Sequence, residues 1–313
     1  MDERDIMLSL LLQVNSRLSY QELATKLGIS VNAVHKRIRD LVDAGIIRVF
    51  GARLSVLAAN ALNVWVFGHS GAPSTSNLQE RLHTNDSTYW VGLASGDFVY
   101  VGAYIQSLPK LEEYVSFVRK EARMSDPVVG MIGGVTPDIM REVSLQGSTK
   151  GLYPLDYQII YSLHKNSRRP LSDVAEELRV SAKTVRRRLA RMIEDGLVEL
   201  SIEWYPDASN DIITVFHFQL APSADKGSAY SVLEKYRPNV LLHMDFGNLP
   251  NLVLSFVWTN TMKELKDLQK RIQNEAVFES VTPNVLYTGY MFDTWRDKIL
   301  LERGGPRRPQ GTG

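Results

Sequence analysis

"ELATKLGISVNAVHKRIRDLVDAGIIR", residues 22–48, decides the fold, because it reads as two short helices joined by the tight turn "GIS". Leu23, Ala24 and Leu27 give the first helix an inward stripe. Val34, Ile38 and Leu41 give the second its own, at the three- and four-residue spacing of one helix face. Ser19 with Glu22 forms a capping box at the start of the first helix. Ser30 N-caps the second, and Gly45 stands where that helix needs a left-handed C-cap. A further helix, from Asp5 to about Val14, precedes them and is apolar almost all round, as a buried helix is.

The same signals return 151 residues later in "DVAEELRVSAKTVRRRLARMIEDGLVE", residues 173–199. The register is ungapped from Asp5/Asp156 to Gly45/Gly196. It keeps Leu12/Leu163, Asn15/Asn166, Ser16/Ser167, Arg17/Arg168, Ala24/Ala175, Leu27/Leu178, Ser30/Ser181, Val34/Val185 and Arg37/Arg188 identical. Pro170 and Asp173 open the second copy's middle helix. Internal repetition over this length predicts a duplicated unit. After each triplet, "IIRVFGARLS" and "LVELSIEWYP" read as short wings, and "LNVWVFGH" and "ITVFHFQL" as strands. Each half then continues as strand-helix-strand-strand-helix-strand, the first of these helices falling near residues 76–83 and 228–236 and being the weakest signal. The expected organisation is a helix-turn-helix head over 1–58, an αβ domain over 59–143 and a Gly/Ser-rich linker over 144–154. A second head over 155–206, a second αβ domain over 207–300 and a disordered basic tail over 301–313 complete it.

Composition narrows the function classes. The 313 residues are 44% apolar and 23% charged, ordinary for a globular chain. The net charge is only +1, so any polyanion partner must meet a local patch. With no cysteine, disulfides and thiolate metal sites are excluded. The longest apolar stretch, "VLAANALNVWVFG", is too short and too polar to span a bilayer, and the acidic start "MDERD" lacks the features of a signal peptide. A cytoplasmic protein is expected.

The outward faces of the two third helices carry the chemistry. The first presents Asn32, His35, Lys36, Arg37 and Arg39, and the second Lys183, Thr184, Arg186, Arg187, Arg188 and Arg191. Residues 30–44 have a net charge of +1 and residues 181–195 a net of +3, with the acidic residues at the C-terminal ends. Two short helices joined by a tight turn, the second capped and basic, match the DNA-reading helix-turn-helix unit. Asn32, His35 and Lys36, with Lys183, Thr184 and Arg187, are the candidates for base edges. Arg37, Arg39, Arg188 and Arg191, joined by Arg17 and Arg168, are the candidates for phosphates. Arg188, shared with Arg37 by the repeat, leads that group, and Arg186 and Arg187 mark where the second head differs.

Each half resembles a regulator of the Lrp/AsnC (feast/famine) family, on "ELATKLGISVNAVHKRIRDLVDAGIIR", "DVAEELRVSAKTVRRRLARMIEDGLVE" and "SGDFVYVGAYIQSLPKLEEYVSFV". The resemblance implies an α+β chain holding two copies of a winged helix-turn-helix followed by a ferredoxin-like domain. It also implies double-stranded DNA as partner and an amino acid or similar small effector, bound where Gly96 and Asp97 of "SGDF" stand. The second copy has "GNLPN" there, without the aspartate. In the family two chains join sheet to sheet. Here the halves of one chain can do so as a pseudo-dimer, or like halves of two chains can pair in a homodimer or higher homo-oligomer. Trp65, Phe67, Tyr100, Tyr104, Phe216, Phe218, Phe256 and Trp258 are the residues available for the sheet faces.

An enzymatic reading has less in the sequence. The six histidines show no metal-ligand spacing, and there is no phosphate-cradling glycine loop or nucleophile elbow. Sirohaem decarboxylases resemble the chain in tandem layout. Their His/Tyr/Arg-rich segment finds only a faint echo in "LLHMDFGNLPNLVLSFV", residues 241–257. The expectation is a regulator that is not an enzyme, with no cofactor and no metal.

Overall fold

Capping and apolar periodicity build the first head as three helices: α1 (Glu3–Val14), α2 (Tyr20–Leu27) and α3 (Val31–Asp43). Both the Ser19/Glu22 box and the Ser30 N-cap are made, and Gly45 is left-handed at φ +72°. There follow β1 (Ile47–Leu54), β2 (Leu62–His69), α4 (Leu78–His83), β3 (Thr88–Ala94), β4 (Phe98–Ile105), α5 (Leu108–Ala122) and β5 (Val128–Thr136). The second half repeats the order as α6 (Pro154–Leu163), α7 (Leu171–Glu177), α8 (Ala182–Glu194), β6 (Val198–Trp204), β7 (Ile212–Leu220), α9 (Lys226–Leu233), β8 (Val240–Phe246), β9 (Leu249–Thr259), α10 (Met262–Gln273) and β10 (Phe278–Met291). It ends in α11 (Trp295–Gly304). This computed structural model describes residues 1–72, 74, 76–136 and 151–306, without the side chains of 134–136. The linker expected from 144 therefore lies mostly outside the described residues.

Each αβ domain has the ferredoxin-like strand order, β5-β2-β4-β3 in the first and β10-β7-β9-β8 in the second. The two sheets join at both edges, β5 to β8 and β10 to β3, and close an eight-stranded barrel within one chain. Of the two pairings the sequence left open, this is the internal one. Strand alternation explains why both faces are apolar: Trp65, Phe67 and Tyr100 point into the barrel, while Val64, Val66, Val99 and Val101 pack under α4 and α5. In the second half Val215, Leu254 and Phe256 line the interior, and Phe216, Phe218 and Val253 lie under α9 and α10. Burial lowers the pKa of His217, whose Nε2 lies 2.6 Å from Tyr100 Oη, to about 4.

The expected wings are not hairpins. Strands β1 and β6 pair antiparallel with each other, and each closes the other half's head. Ala52 and Leu54 of β1 lie in the core of the second head, whereas Ile202 and Trp204 of β6 lie in the core with the first. Polar groups lock the exchange. Ser16 Oγ and Ser167 Oγ, both fully buried, are 2.6 Å apart. Arg17 donates to the carbonyls of Ser167 and Arg169, and Arg168 to those of Ser16 (2.7 Å) and Leu18 (3.0 Å).

The expected boundary at 300/301 is also overturned. A Thr294/Asp297 capping box starts α11, which then runs past residue 301 to Gly304. The helix packs on α6 and β1 because Leu300 enters the second head's core. A Cβ on Gly304 would sit 2.3 Å from the Tyr157 carbonyl oxygen. Residues 307–313 lie outside the described ones.

Candidate nucleic-acid interface

Helices α3 and α8 present their polar faces because Val34, Ile38 and Leu41 on one, and Val185, Leu189 and Met192 on the other, are buried against their heads. Asn32, His35, Lys36 and Arg39 are exposed on α3, and Lys183, Arg186 and Arg187 on α8. Several are organised locally. The His35 ring stacks on Tyr20 with centroids 3.5 Å apart, and Lys36 reaches Asp40 one turn on at 2.7 Å. Thr184 Oγ1 lies 2.9 Å from Ser181 Oγ. Arg39, Lys183, Arg186 and Arg187 make no ion pair or hydrogen bond from their side chains among the described residues.

The remaining arginines are not free. Arg37 Nη1 lies 2.6 Å from Asp5 Oδ1 and its Nη2 2.8 Å from Asp2 Oδ2, and hydrogen bonding to Asp2 holds the guanidinium more firmly protonated. Burial works against the Asp2 carboxylate, but the bonds from Arg37 and the Asp5 amide outweigh it and hold it below the usual range. In the second head Arg188 Nη1 meets Asp156 Oδ1 at 3.1 Å and Arg191 Nη2 meets Oδ2 at 2.6 Å, with the Asp156 side chain fully buried. Arg37, Arg188 and Arg191, expected at phosphates, are each engaged by a carboxylate here: each guanidinium ties the third helix of its head to the first. Arg17 and Arg168 are likewise occupied by backbone carbonyls of the other head. Sequence reasoning missed Asp5 and Asp156 as the partners. The signal was present, since Asp5/Asp156 and Arg37/Arg188 are both identical across the repeat.

The expected effector turn, Ser95–Asp97, is a short 3₁₀ turn between β3 and β4. Gly96 and Asp97 are exposed and left-handed, at φ +66° and +56°. His69 Nδ1 lies 2.9 Å from the Gly96 carbonyl, and Ser95 Oγ accepts from Val285 N of β10 at 3.1 Å. In the second copy Asn248 instead docks on β5, accepting from Met131 N and donating to the Val129 carbonyl, both at 2.8 Å. That loop is a clamp across the seam. A separate cluster, His164, Asp293 and Asp297, comes together beside α6 and α11, with ligating atoms all within 4.8 Å of one another. The 128 residues between His164 and Asp293 hide it from any spacing rule.

Two capped helix-turn-helix heads with basic outer faces, held on one ferredoxin-like barrel, define a DNA-binding regulator, and the winged helix-turn-helix DNA-binding family model matches residues 1–48 and 154–199. The HTH-type transcriptional regulator LrpA of Pyrococcus horikoshii is 32% identical over 97 residues, 69% of its own length and 31% of this chain. An HTH-type transcriptional regulator of Pyrococcus furiosus is 29% identical over 117 residues, 79% of its length and 37% of this chain. The chain belongs to the Lrp/AsnC family of transcriptional regulators, and it carries the family's unit twice.

End to end, the chain is similar to the crystal structure of the siroheme decarboxylase NirDL, with a TM-score of 0.58 and 15% identity. The match covers 96% of this chain and 98% of that one. This likeness overturns the expectation that enzymatic activity can be set aside: the architecture spanning the whole chain is one that an enzyme uses, while the regulators match only part of it. At this identity the likeness shows the fold and not the chemistry. No helix among the described residues is long and apolar enough to cross a membrane.

Proposed function

We propose that both heads read duplex DNA sequence-specifically, as unequal halves of one operator-binding unit. The observation that carries this reading is the set of unpaired cations on the outer helix faces, Arg39 on α3 and Lys183, Arg186 and Arg187 on α8. In this reading these four hold phosphates or guanine edges. Asn32, His35, Lys36 and Thr184 are the other base-reading candidates. Arg37, Arg188 and Arg191 hold the heads in shape. The reading places the protein in the cytoplasm, with higher homo-oligomers assembled from the internal pseudo-dimer. The exposed Asp97 carboxylate, which makes no ion pair among the described residues, is the partner offered to an effector's ammonium. Selection of bound duplexes from random DNA, repeated with Asn32→Ala and with Arg187→Ala, tests the proposal. Each variant is expected to relax one half-site only. Unselective binding by the intact protein would refute sequence reading.

The end-to-end likeness to NirDL favours a second reading, a tetrapyrrole-binding enzyme on the same scaffold. An iron tetrapyrrole titration followed in the visible spectrum separates the two. A saturable band shift supports the second reading, and an unchanged spectrum removes it.

A further inference from the structure

The cluster beside α11 is built as metal sites are built. His164 caps the C-terminus of α6 and is 9% exposed. Its Nδ1 lies 2.9 Å from the Ala52 carbonyl oxygen. A carbonyl only accepts, so Nδ1 carries a proton, and in the neutral ring Nε2 presents a lone pair. A metal-ligating histidine is held in this way, with its other nitrogen donating to a backbone carbonyl. The Nε2 lone pair faces Asp297 Oδ1 at 3.7 Å. Asp297 is nine-tenths buried; its Oδ2 accepts from Thr294 N at 2.7 Å, and its Oδ1 has no hydrogen bond. With the ring neutral, two acceptors therefore face each other, and Arg53 Nε stands 3.5 Å from the Asp297 oxygen without a hydrogen bond to it. Their separation is too long for a shared hydrogen bond. It lies close to the about 3.4 Å between neighbouring ligands on a tetrahedral ion with bonds of about 2.0–2.2 Å.

Asp293 supplies the third ligand. It sits in the turn before α11 with a half-exposed side chain that Lys165 holds at 3.0 Å. Two cations border the site. Arg53 pairs with Glu203 at 2.6 Å and stands 3.5 Å from Asp297 Oδ1 and 3.7 Å from Asp293 Oδ1, and Lys165, mostly exposed, reaches Asp293 at 3.0 Å; a bound ion would compete with both. Asp293, Asp297 and Glu203 against Arg53 and Lys165 leave one net negative charge. The three side chains line a cleft of about 810 Å³.

We propose that His164, Asp293 and Asp297 bind a divalent transition-metal ion of zinc's class, with a further coordination position open to the cleft. One imidazole nitrogen with two carboxylates suits such an ion better than magnesium or calcium, which favour shells of six or more oxygens. The ion would join the end of α6 in the second head to the turn that launches α11.

The test uses the full chain, stripped with chelator and dialysed against Zn²⁺, with Co²⁺ absorption as a second readout of a tetrahedral site. One ion per chain is expected. Asp293→Asn, at a half-exposed turn position, is expected to fold normally and to weaken binding by about tenfold or more. His164→Asn keeps a donor to the Ala52 carbonyl but loses the Nε2 ligand, and is expected to abolish stoichiometric binding. Lys165→Ala removes a competing cation and is expected to tighten it. Absence of stoichiometric uptake, or uptake equal in wild type and both ligand variants, overturns the assignment.

Discussion

Arg188→Ala separates the two roles an arginine on the third helix can have. Its guanidinium meets Asp156, which has no solvent exposure, retains Arg191 at 2.6 Å and also accepts from the Tyr153 amide at 2.9 Å. Removing one partner of a buried ion pair costs about 3–5 kcal/mol when the remaining charge is left alone. Here the carboxylate keeps two partners and Arg188 is 28% exposed, so the loss should approach that of one charged hydrogen bond, about 2 kcal/mol. Urea unfolding at constant m-value measures it. The salt dependence of duplex binding, taken where both proteins are folded, should keep its slope, because no phosphate contact has gone. Arg187→Ala should do the reverse: stability within about 0.5 kcal/mol of wild type, and a slope shallower by about 0.9. If Arg188→Ala lowers the slope and leaves stability untouched, Asp156 is not the residue's working partner and the reasoning fails.

Three further outcomes follow from the packing. The half-buried His217 takes up its proton at higher pH in the unfolded chain than in the folded one, so stability should fall between pH about 6.5 and about 4 by up to about 3 kcal/mol. His217→Gln, which keeps an acceptor for Tyr100, should flatten that part of a pH series of unfolding curves. Gly130→Ala places a Cβ 2.3 Å from the Phe246 ring at the β5–β8 seam and should destabilise by about 1–3 kcal/mol in chemical denaturation, whereas Gly68→Ala, whose Cβ would meet its nearest atom at an ordinary contact distance of 3.5 Å, should be nearly neutral. Arg179 holds a left-handed φ of +54° at the place where the first half has Gly28, so Arg179→Gly should leave the unfolding free energy unchanged or raise it by up to about 1 kcal/mol, read as an unchanged or higher melting midpoint. A clear fall would show that the arginine side chain contributes more than its backbone strain costs.

The heads were legible because their signals are local: a Ser three residues before a Glu, a Ser after a turn, a Gly after the last apolar position. The succession of strands and helices in each αβ domain was legible from residue patterns, and its ferredoxin-like order was implied by the family resemblance. What escaped depends on contacts between distant segments. Nothing in "VFGARL" says that it seals the other head, since an apolar strand packs equally well on either. Helix α11 was hidden because "RGGPRRPQGTG" makes the end of the chain look structureless, although Thr294 and Asp297 spell a cap. The arginines' partners within the chain escaped for a chemical reason: a guanidinium suits a phosphate and a buried carboxylate alike, and only Asp5 and Asp156, repeated with them, point to the second.

Barrel closure within one chain changes how the two heads depend on abundance. A regulator assembled from separate chains loses its pairing on dilution, and it can exchange subunits with its relatives. Here both seams and both exchanged strands are covalently tethered, so the partner half is always at high effective concentration. Occupancy of a two-headed site should rise in simple proportion to the number of molecules, down to very few per cell. Mixed assemblies at the barrel seam have no free edge to form on. Relieved of matching a copy of itself, each head can change its outer face alone, which is what the +1 and +3 helices display.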